Sequence, residues 1–363
     1  MSTQTRREFL RLAAALAGSA ALACGRPDRP RAASAFLAAR QSPDGAWRSA
    51  QSGAFCEGDA LTPLVLWALA DVCSATAEYV VSGMRWLENL TAAQGARMEP
   101  WDGLRYPLFT ASYAAQVFGK TGDSRRAAFW AEVVERLRIS PALGWPADAA
   151  ACGAWGDAPS PPRLPHGDAP PPDMLAPNVS ATLLGLRAIA ADNAALPFLA
   201  RCQNFAPGDG GFFFAIDDPV RNKAGVASRG RYRSYGSATC DGVLALVACG
   251  VASDDPRMRA AFAWLREHAA GARHSGEWPA DRVDDRESLR YYHAQALAAV
   301  LAVAAKSPSM QDWAAEQRRA LTADLLAEQR PDGAWEGVCP NSFEDDPLVA
   351  TAFAIRALSP GVI

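Results

Sequence analysis

Gln41-Ser42-Pro43-Asp44-Gly45-Ala46-Trp47 and Gln329-Arg330-Pro331-Asp332-Gly333-Ala334-Trp335 match at six of seven positions, although they lie near opposite ends of the chain. Each follows an apolar helical stripe, Phe36-Leu37-Ala38-Ala39 and Leu325-Leu326-Ala327. Pro-Asp-Gly is turn chemistry, with glycine free to take positive φ, and a glutamine amide can bond the open backbone groups of a helix end. The closing Trp is expected to fold back over the junction, which makes the motif a structural clamp rather than a reactive site. Degenerate copies lie between: Phe198-Leu199 leading to Gln203 and Gly210-Gly211-Phe212, and Trp264-Leu265 leading to Gly276-Glu277-Trp278. Weaker ones are Trp86-Leu87 leading to Gln94, and Gly144-Trp145 with Gly153-Ala154-Trp155. Such self-similarity marks a repeat architecture.

A more apolar helix is predicted after each loop, over Leu61–Val72, Phe109–Phe118, Val179–Ala190, Ser237–Cys249, Ser288–Ala304 and Pro347–Leu358. Asp59, Asn178, Ser237 and Asp346 stand where N-caps belong. Ala75–Leu90, Ser124–Leu137 and Trp313–Glu328 read as amphipathic outer helices. Strand-like alternation is nearly absent. The fold class is therefore all-α: a single α/α toroid of about six outer–inner pairs over residues 34–360, interrupted by a Pro-rich surface loop at 159–177. Its first and last repeats become neighbours when the ring closes. Cys56 and Cys339 each follow one copy of the motif within ten residues, so a disulfide across that seam is expected.

The chain has 363 residues, is 50% hydrophobic and carries a net charge of -3, which gives a large core and no basic surface for nucleic acid. No apolar run is long enough to span a bilayer. Residues 1–23 read as a twin-arginine signal peptide: Thr5-Arg6-Arg7-Glu8-Phe9-Leu10-Arg11, an apolar run from Leu12 to Ala23 and a small-x-small ending. Residues 24–33 form a spacer that begins at Cys24, placed as a lipoprotein cysteine would be, although Leu22 departs from the usual lipobox. Export to the periplasm or cell envelope follows, with membrane attachment through a lipid on Cys24 as one option. The other seven cysteines contain no C-x-x-C. Cys240 and Cys249 are about 13 Å apart along one predicted helix and cannot bond each other.

The two complete motifs are QW-type segments, and with Tyr235-Gly236-Ser237-x-Thr239, Tyr291-Tyr292-His293 and Asp345-Asp346-Pro347-Leu348-Val349-Ala350-Thr351-Ala352 they give the chain its family likeness. It resembles the terpenoid cyclase/protein prenyltransferase superfamily, and more closely the bacterial secreted proteins with prenyltransferase/squalene-oxidase repeats. The resemblance covers roughly residues 33–360. It implies the toroid and an apolar or isoprenoid small molecule as partner, but no single reaction, since the superfamily includes cyclases, transferases and non-catalytic rings.

The resemblance also directs attention to particular residues. Cyclases of class II protonate an alkene with Asp-x-Asp-Asp, which is absent here; Asp217-Asp218, Asp284-Asp285 and Glu344-Asp345-Asp346 come nearest. The first two read as solvated charge and the third as a helix cap. Prenyltransferases bind zinc through Asp-Gly-Cys and Tyr-His segments. Here Asp241-Gly242-Val243 and Tyr292-His293 supply two of the three ligands, with Val243 in place of the thiolate, so no cofactor is expected and zinc is disfavoured. Cys240 beside Asp241 points about 100° away on a helix.

Asp241 and His293 are the candidate catalytic pair. Facing a central cavity, they would form a base–orienter unit or bind a polar ligand head. The competing reading is a buried Asp–His hydrogen bond tying two inner helices together. Tyr235, Tyr291, Tyr292 and Gln295 lie close in sequence and are candidate ligand contacts, as are Asn178, Asp59 and Asp345 at the starts of inner helices. His166, His268 and His274 are expected at the surface. Three functions remain open: a toroid that binds and transforms an apolar ligand, a non-catalytic cell-envelope scaffold, and a polysaccharide-active toroid using Asp59, Asp241 and Asp345.

Overall fold

A computed structural model describes residues 29–164, 176–190, 192–205, 207–216, 218–227 and 230–359. The expected signal peptide, Cys24, His166, Asp217 and most of the Pro-rich loop lie outside them. Among the described residues there are thirteen α-helices and no sheet, only isolated bridges such as Gln203–Phe212 and Tyr235–Gly276. Six form the inner ring: α2 (Leu61–Leu69), α4 (Pro107–Thr121), α6 (Val179–Ala188), α8 (Gly236–Ala248), α11 (Arg290–Ala304) and α13 (Pro347–Leu358). Six lie outside: α1 (Arg29–Ala38), α3 (Glu78–Gly95), α5 (Ser124–Arg136), α7 (Leu196–Cys202), α9 (Pro256–His268) and α12 (Gln311–Glu328), with the short α10 (Val283–Glu287) preceding α11. Each inner helix packs on the next, and α13 packs on α2, so the ring closes.

Composition sorts the two rings. Every residue of α2 is buried, whereas α5 buries only Trp130, Val133 and Val134. An all-round apolar helix must be covered on all sides, and an amphipathic one needs cover on a single face. Caps set several starts: the Asn178 and Asp346 side chains accept from Ala181 and Leu348 N–H, at the starts of α6 and α13. Asp59 and Ser237, expected as caps, do not cap their helices: the residue before α2 is Ala60 and the residue before α8 is Tyr235.

The repeated loop works as a three-way clamp. The Trp47 indole N–H donates to the Leu37 carbonyl at 2.7 Å, and its backbone N–H to Thr62 Oγ1 at 3.0 Å. Trp335 repeats this with Leu325 (2.7 Å) and Thr351 (3.0 Å), and Trp155 with Val134 (2.8 Å) and Thr182 (3.3 Å). Phe212 lacks the indole donor but keeps the bond to Thr239, at 3.0 Å. The Gln41 amide donates to Gly45 O at 2.9 Å and to Tyr79 O on α3 at 2.7 Å. Gln203 does the same with Gly210 O and Arg257 O on α9. Gly45, at φ +97°, comes so close to α3 that a Cβ would stand 2.4 Å from Ser82 O. Gly333, at φ +93°, makes the same approach to Ala32 O on α1. That contact is the seam.

The fifth repeat corrects the sequence reading. Its loop glycine is Gly271 (φ +59°), which abuts Asp324 and Ala320 of α12, so Gly271-Ala272-Arg273 holds the place given to Gly276-Glu277-Trp278. In the second repeat the clamp is missing, and the buried Thr110 hydroxyl has no partner. The proposed seam disulfide does not form either: Cys56 and Cys339 are free thiols. Cys56 Sγ instead contacts the Gly53 carbonyl within its own loop. The seam is closed there by Phe55 edge-on to Phe343, with ring centroids 5.3 Å apart. On the opposite side Asp71 pairs with both Lys120 of α4 and Arg356 of α13.

The clamp predicts large losses from single substitutions. Trp47→Ala and Trp335→Ala, each removing a fully buried indole, should each cost about 3–5 kcal/mol in urea unfolding. Arg40→Ala, which removes the exposed Arg40–Asp332 ion pair and the guanidinium stacked on Phe36, should cost less, about 1 kcal/mol.

Candidate functional site

The centre of the ring opens at the C-terminal ends of the inner helices into a cavity of about 390 Å³. All six inner helices line it: Trp67 from α2, Gln116 and Lys120 from α4, Arg187 from α6, Leu244 and Val247 from α8, Gln295, Ala298 and Ala299 from α11, and Arg356 from α13. Arg318 reaches in from α12. The volume lies within the roughly 300–1,000 Å³ typical of small-molecule sites.

Leu244 and Gln295 each follow Asp241 and Tyr292 by three residues, one helical turn, so Asp241 and Tyr292 lie roughly 5 Å further along the ring axis. Asp241 is fully buried. Its Oδ2 accepts from Ser180 Oγ on α6 at 2.5 Å and from Tyr292 Oη on α11 at 2.8 Å, while Oδ1 has no partner among the described residues. Burial pushes its carboxyl up to about 6, against the pull of these two hydroxyls and the positive field of Arg187. Burial also raises the Tyr292 phenol well above its usual range, so it remains a donor. Aromatic rings fill the interior nearby: Tyr113 lies 4.9 Å from Trp67 and 4.7 Å from Phe109, and Tyr292 lies 5.4 Å from Phe353.

His293 does not join Asp241. It stands at the first-turn position that threonine holds in other repeats: its N–H closes on Leu289 O as Thr62, Thr182 and Thr239 close on Gly58, Asn178 and Tyr235. Its Nε2 meets Ser275 Oγ at 3.3 Å, Nδ1 has no partner, and the ring stacks on His274 at 4.7 Å. Burial lowers it to about 3, so it is neutral. Neighbouring side chains on one helix point about 100° apart, so the Tyr292 that reaches Asp241 turns His293 away. No hydrogen bond between the pair exists among the described residues.

The zinc donor set does not assemble either. Asp241 is engaged by Ser180 and Tyr292, His293 by Ser275, and Val243 is a fully buried aliphatic residue. Among the described residues no three His, Cys, Asp or Glu side chains gather as a metal requires. Gly242 has a packing reason instead: a Cβ there would stand 2.5 Å from the Phe212 ring.

The remaining sequence candidates separate. Gln295 lines the cavity. Tyr235 is buried edge-on against His274 and Trp278. Tyr291 and Tyr292 offer their backbone N–H groups to Glu344 at 2.8 and 2.7 Å, so this carboxylate caps α11 rather than its own α13, and burial pushes it up to about 8. Asn178 caps α6 and donates to Asp157. Asp59 is buried and accepts from Arg105 N–H at 2.9 Å; burial raises its carboxyl. Asp345 is half-buried. His274 is not at the surface: its Nε2 accepts the Ser237 N–H at the start of α8, and Nδ1 bonds the Arg286 carbonyl. Sequence reading missed Ser180, Arg187 and Arg356. The available signal was an arginine in each of two otherwise apolar inner helices.

Ring, lumen and clamp together make this an α/α toroid, a fold it shares with terpene cyclases of known structure. A variant of the type II terpene cyclase MstE from Scytonema, in complex with geranylgeranyl dihydroxybenzoate, is similar over 92% of this chain and 96% of its own, at 16% identity and TM-score 0.58. A second MstE variant, bound to the product merosterolic acid A, gives 17%, 91% and 95% coverage, and TM-score 0.55. A protein from Actinoplanes gives 15%, 91% and 97% coverage, and TM-score 0.53. At such identity the likeness is one of fold. No family profile matches the chain, and no curated protein is similar to it in sequence.

Asp241 carries a pH signature. Its folded value, about 6 against 3.8 unfolded, means the native state holds the proton more tightly, so stability falls as pH rises from about 4 through about 6. Asp241→Asn should flatten this fall by on the order of 2–3 kcal/mol, from two units at about 1.4 each. Urea titrations at pH 4 and 7 check it. Equal slopes in both proteins would remove the assignment.

Proposed function

We propose that this protein is an exported toroid that binds an isoprenoid or similar apolar ligand in its central cavity. The observation that carries the reading is the cavity itself, bounded by all six inner helices and floored by Trp67, Leu244, Val247 and Ala298. A prenylated ligand in the MstE toroid supports it by analogy of fold. Asp241 is not built as an alkene-protonating acid, because among the described residues no second carboxylate sits beside it to sharpen its acidity. With Ser180 and Tyr292 it forms a polar point in an apolar ring, suited to bonding a hydroxyl or stabilising positive charge on a ligand. A polysaccharide-cleaving site needs paired carboxylates across a cleft, and among the described residues no carboxylate lines this cavity. The twin-arginine reading of residues 1–23 assigns the protein to the periplasm or cell envelope, with a lipid on Cys24 as an optional anchor.

Organic extraction of protein purified from its host envelope, followed by mass spectrometry, should recover an apolar ligand at near one equivalent. Farnesol should raise the melting temperature of the emptied protein. An empty protein that farnesol does not stabilise favours the scaffold reading. Fractionation of a host lacking twin-arginine transport should leave the protein in the cytoplasm.

A further inference from the structure

The cavity has a polarity that an apolar ligand alone does not explain. Lys120, Arg187, Arg318 and Arg356 converge on its mouth from four helices, and among the described residues no carboxylate lines it. Asp71, just behind, pairs with both Lys120 and Arg356. Among the described residues Arg318 donates only to the Ser359 carbonyl, at 2.7 Å. Among the described residues Arg187 has no hydrogen bond or ion pair. Four cations less the Asp71 carboxylate leave three positive charges at the mouth, and the fully buried Asp241, one turn deeper, feels the field of one of them, Arg187.

Helix ends account for part of this. Lys120, Arg187 and Arg356 lie in the last turns of α4, α6 and α13. Each C-terminus carries roughly half a negative charge, so three of them offset about half of the excess. The dipoles do not explain Arg318, which enters from the outer ring and whose guanidinium is disfavoured by burial there. Nor do they explain why the charges meet over an apolar wall. Arg356 stacks on Trp67, its guanidinium carbon 4.1 Å from the ring centroid, and so is held at the boundary between charge and apolar floor.

We propose that the cavity takes an amphiphile by its anionic head, a phosphate or carboxylate, with Arg187 as the residue that pairs with it. The proposal rests on the cavity being the ligand site. Lys120 and Arg356 supply field beside Arg187, and the chain lies along Trp67, Leu244, Val247 and Ala298. Arg187 suits the role because its guanidinium need not first release a partner, and its planar fork matches phosphate or carboxylate oxygens.

The test is calorimetry on the full mature chain with farnesyl phosphate, farnesoate and farnesol, at 50 and 500 mM salt. The two anions should bind at least ten-fold tighter than the alcohol at low salt, with the margin shrinking at high salt. The stronger anion identifies the head as phosphate or carboxylate. Arg187→Gln should reduce the anion-to-alcohol preference ten-fold or more, Arg187→Lys should keep part of it, and the remote Arg40→Gln should keep all of it. Circular dichroism checks that each variant is folded. Farnesol binding as tightly as both anions overturns the head-group assignment and leaves the apolar site standing. Failure of all three to bind overturns both. A preference that survives Arg187→Gln overturns the role of Arg187.

Discussion

The backbone N–H of an aromatic residue, donated to a threonine one turn into the following helix, is the constraint on which the ring depends. An inner helix buried on all sides cannot be oriented by amphipathicity, since it has no polar face to turn outward. It needs a directional bond. Thr62, Thr182, Thr239 and Thr351 provide one each, anchoring the rotation of α2, α6, α8 and α13 about their axes. The indole bond back to the outer helix fixes the angle within a pair. The glycine pressed on the next outer helix fixes the step to the neighbouring pair. Because Gly333 repeats on α1 what Gly45 does on α3, closure is a further use of a local rule rather than a separate event.

With rotation fixed, the residues that face inward are fixed too, and a small polar economy follows. Ser180, Asp241 and Tyr292 come from three successive inner helices and meet in an interior otherwise made of rings and aliphatic chains. Isolating a carboxylate there costs solvation free energy, which two hydroxyl donors and the Arg187 field only partly offset. Such a group is kept in a core only where it holds helices together or meets a ligand. The cavity one turn away makes the second role available.

His293 shows how a family comparison and a repeat can pull apart. Tyr292-His293 looks like a ligand pair when compared with a prenyltransferase. Within this chain, His293 occupies a threonine position of the repeat and packs on His274, while Tyr292 is the residue that turns to Asp241. Likewise Asp241-Gly242 divides into an inward carboxylate and a glycine that makes room for Phe212.

The sequence by itself determined the ring: six pairs, their order, and the adjacency of first and last repeats. The pairs rest on clamp bonds between an outer helix, its loop and the following inner helix, whose signature recurs in the text of the chain, and the adjacency of first and last follows when the same loop recurs at both ends. It also indicated Asp241 and Tyr292, though with the wrong partner for Asp241. Only the tertiary structure decided which polar groups share the lumen, because Ser180 and Asp241 are contacts between repeats with no periodic signal. For the same reason it alone revealed caps lent across repeats, Glu344 to α11 and His274 to α8, and the free thiols at the seam. The charge at the mouth belongs to this second class: Arg187, Arg318 and Arg356 are unremarkable in sequence and become a site only where the helices bring them together.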